Sequence, residues 1–198
     1  MKHSITRTLF AAVISIAIPI LAQADTWQID PMHTSVEFTV RHMMISNVKG
    51  TFEKTSGTIT TAGEVPATVV IDATIEAASI NTRVEKRDGH LKSPEFFDVA
   101  KFPSITFKST RIEQAGTAKW KVTGNLTLHG VTKEVILDVD GPTAPVKDPF
   151  GNMRSGASAT SKIDRRDFGL TFNKALETGG VLVGDEVAIS IDVEAIKK

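Results

Sequence analysis

The sequence predicts an all-β fold, an antiparallel β-barrel of about eight strands with one short helical segment near residues 83–98. Three observations point there. Run after run of the chain alternates apolar and polar residues with period two, the mark of an antiparallel sheet that is wet on one face. Between Arg87 and Ser109 the alternation stops for about two helical turns and resumes at Pro103. The apolar side of the strands also includes small residues, Ala73, Gly124, Ala157 and Ala159, while aromatic residues make up only 6% of the chain and tyrosine is absent. A sandwich and a barrel both bury amphipathic strands. A centre with few bulky groups to fill it favours the barrel, with room left for a ligand.

Residues 1–24 read as a cleaved signal peptide. Lys2 and Arg7 give a positive start, and Ala22-Gln23-Ala24 is a small-x-small cleavage site with the cut expected after Ala24. The apolar run from Leu9 to Ala22 is broken by Ser15 and Pro19 and is shorter than the roughly 20 residues of a membrane span. Residues 25–198 then form a single domain, long enough for a sizeable core. Export without an anchor places that domain in the periplasm, with secretion as the alternative.

The strands follow in order. Val36, Phe38 and Val40 alternate with Glu37, Thr39 and Arg41; Val69, Ile71, Ala73 and Ile75 alternate with Val70, Asp72, Thr74 and Glu76. The helical segment comes next. Leu91, Phe96 and Phe97 are its apolar groups on an otherwise charged stretch, placed to gate or plug one end of the barrel. Ile105 and Phe107 begin a new strand, and Trp120, Val122, Gly124, Leu126 and Leu128 form the apolar face of another. His129-Gly130 is a two-residue hairpin, because Gly takes positive φ freely and His tolerates it better than most. Val135, Leu137 and Val139 continue the pattern, with Ile136 the exception on the polar side. Gly141 to Met153, with three prolines, is a long loop of the kind that often carries function. Gly179-Gly180 precedes the last strand, in which Val187, Ile189, Ile191 and Val193 share a face.

Composition excludes several classes of function. The full chain carries 23 basic and 23 acidic residues; the signal peptide removes two of the basic ones, so no basic footprint for nucleic acid remains. With no cysteine there is no thiol nucleophile, thiolate metal site or redox pair. No Gly-x-Ser-x-Gly elbow and no glycine-rich phosphate loop occurs. His33, His42, His90 and His129 lie outside the signal peptide, yet none has the close spacing of a metal motif. They read as structural histidines, and no metal site is expected. The Asp164-Arg165-Arg166-Asp167 cluster reads as charge pairs or a turn cap before Phe168-Gly169. No catalytic residue and no cofactor is assigned.

What remains is the apolar inner face. Phe38, Val40, Ile71, Phe107, Trp120, Leu126, Val135, Leu137, Ile189 and Ile191 are expected to line a lipid tunnel, with Leu91, Phe96 and Phe97 as its gate. Each buried CH₂ contributes roughly 0.8 kcal/mol, and association costs roughly 4–15 kcal/mol before any surplus appears. A tail with some fifteen buried carbons can bind through burial alone, whereas five cannot. An apolar tunnel without catalytic groups therefore suits a long-chain lipid.

Four stretches, in order, resemble the YceI-like family, described as polyisoprenoid-binding. They are His33 to His42 with Val48-Lys49-Gly50-Thr51-Phe52, Arg87 to Ser109, Gly124 to Lys133, and Val183 to Glu186-Val187. The resemblance implies an extended lipocalin-like barrel with a long apolar tunnel holding an isoprenoid or fatty-chain molecule, a bacterial and usually periplasmic protein, and a homodimer as a common assembly. It transfers no catalytic residue. The reading is a carrier that binds, sequesters or transports a long-chain lipid. The rivals are an enzyme acting on such a lipid with a histidine general base, and a non-catalytic stress-related scaffold.

Overall fold

The computed structural model describes residues 24–62, 69–177 and 179–198. The expected signal peptide, apart from Ala24, lies outside the described residues. Twelve strands and one α-helix make up the described chain. The strands are β1 (Ala24–Ile29), β2 (Ser35–His42), β3 (Ser46–Phe52), β4 (Thr55–Ala62), β5 (Val69–Glu76), β6 (Ile80–Asn81), β7 (Ser104–Gly116), β8 (Lys119–Leu128), β9 (Val131–Asp140), β10 (Val146–Lys147), β11 (Met153–Asp164) and β12 (Val183–Lys197), and the helix is α1 (Glu85–Lys92).

All pairings are antiparallel, and they close on themselves into eight staves. β12 pairs along one edge with β11, from Arg154↔Ile196 to Asp164↔Glu186. Along its other edge β2 and β1 lie end to end, from Val183↔His42 to Trp27↔Lys197. β3 and β4 share the next stave, pairing with β2 and β1 respectively. β6 and β5 share the one after that. Single strands β7, β8 and β9 continue the wall. β9 then meets β11 and completes the circuit, but only where Asp138–Asp140 face Ser158–Thr160. Eight staves give an interior just wide enough for packed side chains or one ligand.

The sequence pattern explains the wall. Ile71, Ala73 and Ile75 face inward on β5, while Val70 is exposed. Ile136 likewise faces out on β9, as its polar neighbours do. The β8–β9 hairpin turns at His129 (φ 52°) and Gly130 (φ 73°), the doubly left-handed geometry that matches strand twist. The Phe102 ring packs on His129 with centroids 4.6 Å apart.

The helical segment is shorter than expected. α1 stops at Lys92, and Ser93-Pro94 follows, since the residue before a proline is pushed out of the helical region. Leu91 is on the helix, but Phe96 and Phe97 come after it in a run of turns. No residue of α1 is buried. Polar ties hold it instead: Thr82 N–H donates to Asp88 Oδ1 at 2.8 Å, and Arg87 Nε donates to Thr82 Oγ1 at 2.7 Å. The packed core gathers beneath this end and includes Val36, Phe52, Ile80, Ile105, Leu128 and Phe168.

The stretch from Gly141 to Met153 is more ordered than a plain loop. β10 pairs with the start of β11, and Asp148 accepts from Phe150 N, Asn152 N and Arg154 Nε. Asp164 caps a 3-10 turn over Arg165–Phe168, ended by Gly169 at φ 77°. The expected turn cap is therefore present.

Candidate functional site: an apolar cavity inside the barrel

The barrel is hollow. A cavity of about 290 Å³ runs from Leu91, Phe96, Phe97 and Leu170 at the helical end to Ile29, Val139, Ala157 and Val193 at the other. Its exposed wall is apolar. Thr55 borders it, but the Thr55 Oγ1 atom is sealed and has no hydrogen-bond partner.

The inward residues named from the sequence converge here. Phe38 and Val40 of β2, Ile71 of β5, Phe107 of β7, Leu126 of β8, Val135 and Leu137 of β9, and Ile189 and Ile191 of β12 all line the cavity. Leu91, Phe96 and Phe97 close its helical end. Phe97 meets Phe52 edge-on at 5.8 Å, and Phe52 in turn meets Phe38 at 5.8 Å.

Trp120 is a correction. It shares the inward parity of β8, yet it does not reach the cavity. It sits at the strand's opposite end, beyond the buried Val122, and its indole N–H donates to Gly141 O at 2.7 Å. A half-buried indole settles where its donor finds a partner. The loop beyond β9, distant in sequence, supplies that partner.

The small inward residues divide into two kinds. Ala73, Ala157 and Ala159 border the cavity and leave it space. Gly124 leaves none, because a Cβ there would stand 2.6 Å from Phe107 Cε2. Gly50 is covered in the same way by the Phe38 ring. Each glycine makes room for the far end of an aromatic ring.

Sequence reasoning passed over several lining residues. Ile29 of the short β1 and Ile59 of β4, a strand rich in Thr, stand in the wall, where alternation in hydropathy is faint. Arg165 also borders the cavity and is buried. Its guanidinium donates to Gly184 O (2.9 Å), Leu170 O and Asp185 Oδ1 (3.1 Å). Burial pushes its pKa below the ordinary value, against the pull of Asp185 and Asp164.

None of the four histidines borders the cavity. His90 lies edge-on between Phe96 and Phe172, with Nε2 2.6 Å from Glu95 Oε2. His129 Nδ1 donates to Phe168 O at 3.3 Å. His33 Nδ1 donates to Asp30 Oδ2 at 2.8 Å. His42 ends β2, opposite Ser46.

Asp30, His33 and Glu194 bring ligand-type atoms close enough together to hold a metal ion. A cation already occupies the position: Arg154 Nη1 lies 2.6 Å from Asp30 Oδ2 and 2.5 Å from Glu194 Oε1, and Arg154 Nε lies 2.7 Å from Asp148 Oδ2. The hydrogen bond from His33, then that from Arg154, holds the Asp30 carboxyl down at about 2. Asp148 is lowered further still, chiefly by Arg154. This network ties the β10–β11 turn, β12 and the residue after β1 together near the end opposite α1.

The comparisons agree with this architecture. The family model described as YceI-like domain matches residues 27–195. UPF0312 protein SAS2572 of Staphylococcus aureus (strain MSSA476) is 37% identical over 167 residues, covering 83% of this chain and 94% of the relative. The crystal structure of the Campylobacter jejuni YceI protein is similar with TM-score 0.67 and 35% identity, over 80% of this chain and 90% of that one. Burkholderia cenocepacia BcnA shares the fold with TM-score 0.71 and 23% identity, over 84% of this chain and 98% of that one. So does a Saccharophagus degradans domain described as polyisoprenoid binding, with TM-score 0.64 and 19% identity, over 90% of this chain and 99% of that one. With the closed eight-stave barrel, the short helix and a match over nearly the whole described chain, the protein belongs to the YceI-like family.

Proposed function

We propose that the protein is a non-enzymatic carrier that binds a long-chain lipid, of the isoprenoid or fatty-chain class, in the barrel. One observation carries the reading: the cavity runs along the barrel from the helical cap to Val139 and Val193, and its exposed wall is apolar. At roughly 0.8 kcal/mol per buried CH₂, such a wall rewards hydrocarbon length and little else. The polyisoprenoid binding ascribed to the Saccharophagus degradans domain supports the ligand class. The histidines stand outside the cavity wall, which favours a carrier over an enzyme with a histidine base. A carrier also fits the export signal expected from residues 1–24, and the proposed place of work is the periplasm.

The test is organic extraction of protein purified from its native compartment, followed by mass spectrometry. A stoichiometric long-chain lipid is expected. Protein that is always empty, and that takes up no long-chain probe, overturns the proposal.

A further inference from the structure

Resting on that reading, we infer where the lipid's polar end lies and what its chemistry is: it leaves the barrel sideways between β9 and β11, and it is an uncharged hydrogen-bonding group such as an alcohol, amide or ester. The cavity itself offers a head group nothing, because its exposed wall is apolar and the Thr55 hydroxyl is sealed from it. A polar group without a partner there would lose its hydrogen bonds to water and gain none. Neither end of the cavity offers a head group a partner. Leu91, Phe96 and Phe97 cap one in hydrocarbon, and Ile29, Val139, Ala157 and Val193 border the other.

The seam between β9 and β11 is the exception. The strands pair only where Asp138–Asp140 face Ser158–Thr160. Toward α1, Ser161 Oγ donates to Ile136 O at 2.7 Å, a side-chain tie in place of a backbone ladder. Each strand is meanwhile held along its other edge, β11 by β12 as far as Asp164 and β9 by β8 as far as Val131. Outside the seam lies a groove of about 1000 Å³. Val135, Ser161, Ile163 and Ile189 border both the groove and the inner cavity.

The groove's charges choose the head group. Lys121 is held by Asp138 and Lys162 by Glu186, both at 2.8 Å, and Asp164 is held by Arg166. Lys133, Glu134 and Asp167 remain, their side chains in no close ion pair among the described residues. Two acids against one lysine repel a phosphate or carboxylate. Hydroxyl and backbone groups of Thr39, Thr160 and Ser190 also face the groove and suit an uncharged head.

The test compares hexadecanol with hexadecanoate, which share a chain and differ in head charge. The full-length mature protein is expected to bind the alcohol at least tenfold more tightly at pH 7. In Glu134→Lys/Asp167→Lys, two surface changes, affinity for the acid is expected to rise at least tenfold while that for the alcohol stays within twofold. Because the chain has no cysteine, Ile136→Cys/Lys162→Cys gives a single reversible lock across the seam. Its oxidised form is expected to take up hexadecanol at least tenfold more slowly, with the rate restored by reductant. Equal affinity for the two probes, no response to the added lysines, or uptake unchanged by oxidation of the seam lock each overturns the inference while leaving the carrier reading intact. Failure to bind either probe overturns the carrier reading itself.

Discussion

The Phe107 ring on β7 lies directly over Gly124 on β8, so close that a Cβ on Gly124 would be 2.6 Å from Phe107 Cε2. At this point the far end of the ring rests against bare backbone. Gly124→Val must push the ring into the lumen or deform β8. It is expected to cost about 1–3 kcal/mol, as overpacking does, and to lower bound lipid together with stability. Urea unfolding midpoints and lipid content, measured on the same preparation, check both. Unchanged stability would show that the ring moves freely.

Leu126→Trp separates filling from folding. Leu126 lines the cavity opposite Phe107, where added volume enters empty space before it meets neighbours. The expected cost is again about 1–3 kcal/mol, tolerable against a typical stability of about 5–15 kcal/mol. Circular dichroism should report a retained fold, and mass spectrometry should find the lipid lost.

Trp120→Phe is expected to leave lipid content unchanged, because Trp120 does not border the cavity. It removes the indole hydrogen bond to Gly141 O and should cost about 1 kcal/mol of stability. Urea midpoints read the cost. A fall in bound lipid would mean that the occupied cavity extends past Val122.

Acid should weaken the network that joins Asp30 to Arg154. Asp30 titrates at about 2 in the folded protein against an ordinary 3.8, first because of His33 and then because of Arg154. The folded state therefore gives up this proton more readily than the unfolded one. The resulting stability is fully present above about pH 4 and is lost as pH falls toward 2. Unfolding midpoints from pH 6 to pH 2 should drop along this limb, and Asp30→Asn should make the drop shallower. Asp164, held at about 2 by Arg166, and Asp148 retain part of the slope in that variant.

Much of the wall was legible residue by residue. Nine of the ten tunnel residues expected from strand parity border the cavity, together with the three gate residues, so the exception decides what parity lacks. Parity assigns a side of a strand and says nothing of position along the barrel axis. Trp120 has the correct side and the wrong height. β1, β4 and β11 were hard to read because Thr, Ser and Ala on both faces blur the alternation, although Ile59 and Ala157 stand in the wall. Arg165 lies in a cluster readable as charge pairs, and only the folded loop at Leu170 and the start of β12 at Gly184 show why it turns inward.

The sequence by itself determined the β character of the chain, the faces of its main strands, the His129-Gly130 hairpin and the site of the helical interruption. All of these follow from local sterics and period-two burial, which act within a few residues. The tertiary structure decided the closure of β11 onto both β12 and β9, the hollow left beside rings seated on Gly50 and Gly124, the Arg154 network at one end and the loosely paired seam. Each of these depends on which residues from distant strands meet at one height, and register between strands is set by the whole circuit of hydrogen bonds.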